Sequence, residues 1–286
     1  MRIVVIGANG QLGTDLVKVL NNWDLVPLTH AELDICDFVR ARKVLTELKP
    51  DIVINTAAFN RVDDAEDQPE KAFWVNTYAV RNLAQVCADL DCTLMHISTN
   101  YVFGGEKRTP YTEDDPPNPL NVYGVSKLAG EYFVRNICPK YFIVRTSGLY
   151  GVAGSSGKGG NFVETMVRLA REGKPIRVVT DQVLTPTYTK DLAQKIKELL
   201  TTEAYGLYHI TNSGQCSWYQ FASKIFELLR MKPDFGPTTS AEFGAKARRP
   251  AYSVLAHEKL KHVGITELRP WPEALAAYLK EKGHLQ

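Results

Sequence analysis

A tyrosine and a lysine four residues apart open the stretch best equipped for chemistry, Tyr123-Gly124-Val125-Ser126-Lys127. On a helix the two share a face. An ammonium beside a phenol favours the phenolate and lowers the phenol pKa from about 10, which is the tuning a general acid needs near neutral pH. Spacing alone is weak evidence, since Tyr278 and Lys282 repeat it near the C-terminus, where a surface helix face is the expected reading. Context separates the two pairs. The first follows Ser98-Thr99, which ends the apolar run Leu94 to Ile97, and hydroxyls at the carboxyl edge of a parallel strand face a ligand crevice. Thr99 is thus a candidate donor to a substrate carbonyl. Thr99, Tyr123 and Lys127 form the candidate catalytic trio.

Residues so placed need a sheet to hold them. Ile3-Val4-Val5-Ile6 has the β-branched run of a strand buried on both faces, and Leu12, Leu16, Val19 and Leu20 then recur at helical spacing. Between them lies Gly7-Ala8-Asn9-Gly10-Gln11-Leu12-Gly13. Small residues in such a turn let backbone N–H groups approach a diphosphate, and the helix behind points its positive end at the anion. The stretch predicts a dinucleotide cradle, with Gly7, Gly10, Gln11, Leu12 and Gly13 against the cofactor. A second strand, Leu25 to Leu28, ends in Thr29-His30, neither the acid that holds a ribose hydroxyl nor an arginine for a 2′-phosphate. The choice between NADH and NADPH stays open, and with no acid to repel a phosphate NADPH is expected to serve at least as well. Asp34, beside Ile35, either reaches the adenine side or is an acid before a helix from Phe38 to Leu48.

Further strands are predicted at Ile52 to Asn55, leading into the small pair Ala57-Ala58, at Leu94 to Ile97 and at Phe142 to Val144. A long helix runs from about Glu70 to Leu90. Gly151 to Gly160 reads as a mobile loop, a lid or a tolerated insertion. A helix from Asn161 to Arg171 precedes a strand at Ile176 to Val179 that returns the chain to the sheet. Beyond Asp181-Gln182 come a helix from Tyr188 to Leu200, a strand from Leu207 to Ile210 and an apolar-striped helix from Trp218 to Leu229. No second glycine turn recurs. The pattern predicts an α/β fold, a Rossmann-like doubly wound parallel sheet with a smaller α/β C-terminal substrate domain. Residues 1–150 would bind NAD(P), with roughly 175–205 returning to that domain; 151–174 and 206–286 would bind substrate. Lys246, Arg248 and Arg249 make a solvated basic face or a partner for a substrate diphosphate.

Composition excludes several classes. A net charge of +2 from 34 basic and 32 acidic residues argues against a nucleic-acid binder. The five cysteines are scattered with no Cys-x-x-Cys pair, as suits reduced thiols in a cytoplasmic protein, and the six histidines show no ligand spacing. The first strand begins at Arg2, leaving no room for a signal peptide, and no run approaches the roughly 18 apolar residues of a membrane span.

Taken together, Gly7-x-x-Gly10-x-x-Gly13, Ser98-Thr99 and Tyr123-x-x-x-Lys127 resemble the extended short-chain dehydrogenase/reductase family. More narrowly, Gly10-Gln11-Leu12-Gly13, Val75-Asn76-Thr77, Ser98-Thr99-Asn100-Tyr101-Val102-Phe103, Asn121-Val122-Tyr123-Gly124, Arg145-Thr146-Ser147, Gly160-Asn161-Phe162, Asp181-Gln182, Pro186-Thr187 and Arg249-Pro250 resemble the dTDP-4-dehydrorhamnose reductases within it. The resemblance implies hydride transfer from NADPH or NADH to the 4-keto group of dTDP-4-dehydro-L-rhamnose. It further implies cofactor contacts at Asp34, Ile35, Ala57, Ala58, Asn76, Tyr123 and Lys127, and substrate contacts at Thr99, Asn100, Tyr101, Asn161 and Arg249. Only the resemblance suggests Mg2+, carried by some relatives at a subunit contact, or a homodimer. Three positions depart from the family pattern: Asn100 replaces an aspartate, Gly148 a tryptophan that helps hold the sugar, and Leu184 a glycine. The alternatives are a 4-ketoreductase or epimerase of another nucleotide 6-deoxysugar, and a non-catalytic regulatory subunit of the methionine adenosyltransferase type.

Overall fold

Alternate residues of the first strand face opposite ways, and both ways are buried. In the computed structural model, which describes residues 1–154 and 160–285, β1 (Arg2–Ile6) sends Ile3 and Val5 into one apolar cluster and Val4 and Ile6 into another. A strand can do this only at the centre of a sheet covered on both sides. Its neighbours are β2 (Asp24–Leu28), β3 (Ile52–Asn55), β4 (Thr93–Thr99), β5 (Tyr141–Thr146) and β6 (Gly206–His209), all parallel in the order β6-β5-β4-β3-β1-β2. Helices α1 (Gln11–Val19) and, late in the chain, Thr189–Leu200 cover one face. Helices α2 (Phe38–Leu48), α3 (Ala79–Asp89) and α4 (Val122–Ile137) cover the other. The strand order reverses between β1 and β3, and a crevice opens there beyond the carboxyl ends.

A third apolar cluster unites α5 (Phe162–Arg171), the helix α6 (Thr189–Leu200) through the adjoining Tyr188, α7 (Trp218–Leu229) and α8 (Trp271–Glu281). Two expectations are corrected here. Ile176–Val179 does not return to the large sheet but pairs with Phe235–Thr238, burying Ile176 and Val178 in the C-terminal cluster. The returning strand is β6, expected in the substrate domain and found at the sheet edge beside β5. An apolar run announces burial without naming the sheet that buries it. Tyr278 is likewise no surface residue. It lies on the apolar stripe of α8 with Ala274, Leu275 and Leu279, fully buried, and its hydroxyl donates to Glu164 Oε1 at 2.7 Å. Among the described residues no helix is long and apolar enough to cross a membrane.

Candidate active site

The crevice is a cleft of about 870 Å³ between the carboxyl edge of the sheet and the C-terminal unit. Thr99 is the last residue of β4, and Tyr123 sits in the first turn of α4. That helix starts where Asn121 caps it, Oδ1 accepting from Gly124 N–H at 2.8 Å while Nδ2 donates to the Arg248 carbonyl at 2.7 Å. Gly124 permits the approach, because a Cβ there would lie 2.3 Å from the Tyr101 carbonyl oxygen. Helix start and strand end are thereby pressed together, and the Thr99 hydroxyl comes close enough to the Tyr123 phenol to favour its anion. Tyr101 meets the Tyr123 ring edge-on, with centroids 6.0 Å apart.

Burial pushes the Tyr123 phenol up to about 12, opposed by the nearby Thr99 hydroxyl. Burial likewise lowers the Lys127 ammonium to about 8, opposed by the Glu131 charge one turn on. The expectation that Lys127 holds the phenol pKa down is therefore corrected. Its Nζ turns to the strand instead, donating to the Ile97 carbonyl at 2.7 Å and lying 3.1 Å from His96 Nε2. Beneath it, Glu131 accepts two hydrogen bonds from Arg145 Nε and Nη2 and one from the Ser98 hydroxyl, all buried.

The glycine turn has the shape a diphosphate requires. Gly7 has φ +78°, and a Cβ on it would lie 2.6 Å from Thr56 Oγ1. Gly7, Gly10, Gln11 and Leu12 line the cleft together with Asp34, Ile35, Ala57 and Ala58. Gly13 lies behind the lining, where a Cβ would sit 2.2 Å from the Gly7 carbonyl oxygen, so its role is to bring helix and turn together. Gln11 donates to the Leu149 carbonyl at 2.9 Å, while its Oε1 is buried without a protein partner, an acceptor available to a ligand. These features fit a dinucleotide. At the adenine end Asp34 Oδ1 accepts from Cys36 N–H at 2.9 Å. The second strand does end beside an acid after all: Glu32 Oε2 accepts from Thr29 N–H at 2.7 Å, three residues beyond the position where one is expected.

Asn76 lies outside the lining, in a π-helical turn, Trp74–Tyr78, that interrupts the long helix foreseen from Glu70 to Leu90. Its amide accepts from Phe59 N–H at 2.9 Å and donates to the Phe59 carbonyl and to Ser126 Oγ, both at 3.0 Å. It braces the loop after β3 against α4.

At the substrate end Asn100 and Tyr101 line the cleft. Asn100 donates from Nδ2 to Ser253 Oγ at 2.8 Å, a bond that the family's aspartate could only accept. Asn161 also lines the cleft, but its side chain caps α5 and donates to the Gly151 carbonyl and the Tyr278 hydroxyl. Arg249 lies behind the lining, bidentate to Asp63 and near enough to Tyr101 for its charge to favour the phenolate. Gly148 has φ +54°, and a Cβ on it would lie 2.8 Å from Leu184 Cδ1. Leu184 therefore fills the space that the missing side chain leaves. Nearby Tyr150 is buried and stacked on Tyr188. Half of the glycine-rich stretch read as a loop or lid, residues 155–159, lies outside those described.

Several lining residues escaped the sequence reading. Thr146 and Ser147 follow β5 into the cleft, and their hydroxyls are buried without protein partners. The carboxyl-edge argument that singled out Ser98-Thr99 applies equally to them. Phe162 and Trp218, packed with centroids 4.6 Å apart, close the far wall from the C-terminal unit and carried no local signal.

Comparison with known proteins places this arrangement. The chain matches the family model described as RmlD substrate binding domain over residues 1–283. It is 41% identical over 283 residues to the spore coat polysaccharide biosynthesis protein SpsK of Bacillus subtilis, covering 98% of each chain. It is 41% identical over 280 residues to a probable dTDP-4,6-dihydroxy-2-methyloxan-3-one 4-ketoreductase of Streptomyces antibioticus, covering 96% of this chain and 93% of that one. It superposes with a TM-score of 0.93 on the crystal structure of dTDP-4-dehydrorhamnose reductase from Bacillus anthracis in complex with NADP, at 42% identity, covering 98% of this chain and 99% of that one.

Proposed function

The chain belongs to the RmlD substrate binding domain family, and from that premise we propose that it reduces the 4-keto group of a dTDP-4-keto-6-deoxysugar, dTDP-4-dehydro-L-rhamnose first, with NADPH or NADH. The observation that carries this reading is that Thr99, Tyr123 and Lys127 line one cleft with the glycine cradle. Gly7, Gly10, Gln11, Asp34, Ile35, Ala57 and Ala58 would hold a nicotinamide coenzyme, which would supply the hydride when bound.

Negative charge develops on the keto oxygen as the carbonyl is reduced, and the buried cleft strengthens any hydrogen bond to it. Tyr123 gives its proton to that oxygen, and Thr99 donates a hydrogen bond to it. A phenol of raised pKa stays protonated at neutral pH, so the donor is loaded before substrate arrives. Lys127 holds the coenzyme ribose, and Asn100, Tyr101 and Arg249, the last acting through Tyr101, orient the sugar nucleotide. Residues 1–150 with β6 serve the coenzyme, and the C-terminal unit serves the sugar.

The Gly148 and Leu184 pair favours a second reading, a 4-ketoreductase for a related 6-deoxysugar. Consumption of NADPH and NADH measured against a panel of nucleotide 4-keto sugars decides between them. The first reading expects one coenzyme consumed per dTDP-4-dehydro-L-rhamnose reduced. No consumption with any 4-keto sugar would refute both.

A further inference from the structure

His96 stands on β4, wholly buried between β3 and α4. Each ring nitrogen has one neighbour: Nδ1 lies 3.3 Å from Asn55 Nδ2, and Nε2 lies 3.1 Å from Lys127 Nζ. The orientation of Asn55 is fixed, because its Oδ1 accepts from Ala57 N–H at 3.1 Å, which leaves the amide nitrogen, a donor, facing the ring. A donor aimed at Nδ1 requires that nitrogen to be bare, and a neutral imidazole then carries its proton on Nε2. That N–H points at Lys127 Nζ. Two donors facing each other at this distance repel, and a lone pair on Nζ removes the conflict.

We propose that His96 is a positioning residue for the reduction, donating from Nε2 to the lone pair of Lys127 and so holding that lysine as the amine in the free protein. The surroundings agree. Facing this pair are Asn55 from β3 and Glu131 from α4, and Arg145 from β5 takes both Glu131 oxygens and so competes for the one carboxylate that would favour an ammonium. Burial keeps the imidazole neutral and lowers the lysine as well. Asn55, His96 and Lys127 thereby link the backbone of the loop at Ala57, which lines the coenzyme end of the cleft, to the helix that carries the phenol.

The proposal rests on the role given to Lys127 above, but its first test does not. Nitrogen-15 spectra of the histidine-labelled full chain, at about pH 9, between the lowered Lys127 value and that of an ordinary lysine, report which ring nitrogen carries the proton. The His96 resonances are assigned by their loss in His96→Gln or, should that variant not fold, by their displacement in Lys127→Met. A bare Nδ1 with a protonated Nε2 is expected; a proton on Nδ1, or on both nitrogens, overturns the proposal. The second test is the pH profile of kcat/KM. A glutamine amide can turn its oxygen to Nζ and accept from an ammonium, so His96→Gln should raise the acidic limb, on which the amine gains its proton, by about one pH unit, a tenfold change in proton affinity. A limb that stays in place while kcat falls would mark His96 as merely structural and overturn the assignment.

Discussion

Gly148 and Leu184 behave as one unit, and the energetics of separating them can be worked from the geometry. A tryptophan at 148 must adopt φ near +54°, which costs an L-residue roughly 1–2 kcal/mol. Its Cβ would begin 2.8 Å from Leu184 Cδ1 and 3.2 Å from Pro186 Cα, and overpacking of this kind costs about 1–3 kcal/mol. Gly148→Trp should therefore destabilise the protein by about 2–5 kcal/mol and fail to improve kcat/KM for the dTDP-linked 4-keto sugar. Leu184→Ala alone should cost about 2–3 kcal/mol by opening a cavity. In the double variant the cavity accepts the new ring, and the two costs should fall short of their sum by about 1–3 kcal/mol. Urea unfolding with an unchanged m-value measures all three variants. Additive costs would refute the idea that Leu184 occupies the space of the missing side chain. A tenfold gain in kcat/KM on introducing tryptophan would show that the cleft is shaped for the indole after all.

The proton donor is tested most directly by Tyr123→Phe, which should reduce turnover by about a hundred to ten thousand-fold while coenzyme still binds; near-normal turnover would remove Tyr123 from the mechanism. Because the folded state lowers the Lys127 pKa from 10.5 to about 8, the unfolded chain binds that proton more tightly across this window, and stability should rise with pH through it. Lys127→Met should abolish that rise, on the order of 3 kcal/mol, in unfolding curves compared at the two ends of the window. Glu131→Ala strands the buried Arg145 charge and should cost about 3–5 kcal/mol by the same assay. NADPH should serve at least as well as NADH, and Glu32→Gln, which removes a negative charge beside Thr29, should shift the kcat/KM ratio toward NADPH by about three- to tenfold; an unchanged ratio would place Glu32 away from the 2′-phosphate.

What the residue pattern made legible was whatever depends on burial and local turn chemistry. The alternation in β1, the glycine spacing and the hydroxyls ending β4 needed no knowledge of distant neighbours, and the fold and the lining of the cleft followed from them. Partner choice was not legible. Ile176–Val179 is the more apolar of the two runs, yet β6 joins the large sheet while Ile176 and Val178 pack into the C-terminal cluster. The direction of Lys127 was misjudged for the same reason. Four-residue spacing puts it on the face of Tyr123, but a long side chain goes where an acceptor waits, here at Ile97. Glu32 was overlooked because it reaches back three residues to the end of β2.

The π-helical turn at Trp74–Tyr78 carries a consequence for chain length. Just beyond it, α3 must keep Ala79, Val80, Leu83 and Val86 against the sheet, while within it Asn76 must reach both Phe59 and Ser126. In an uninterrupted α-helix each residue advances the phase by about 100°, and a wide turn is in effect one surplus residue absorbed without breaking the rod. Removing a single residue from 74–78 would therefore be absorbed as a smoother helix, with α3 keeping its seat. The segment ahead of it would rotate by about 100°, the amide would leave Phe59, and the brace on the loop at Ala57 would be lost. A one-residue deletion there should thus spare folding and injure coenzyme binding, the reverse of what deletions inside helices ordinarily do.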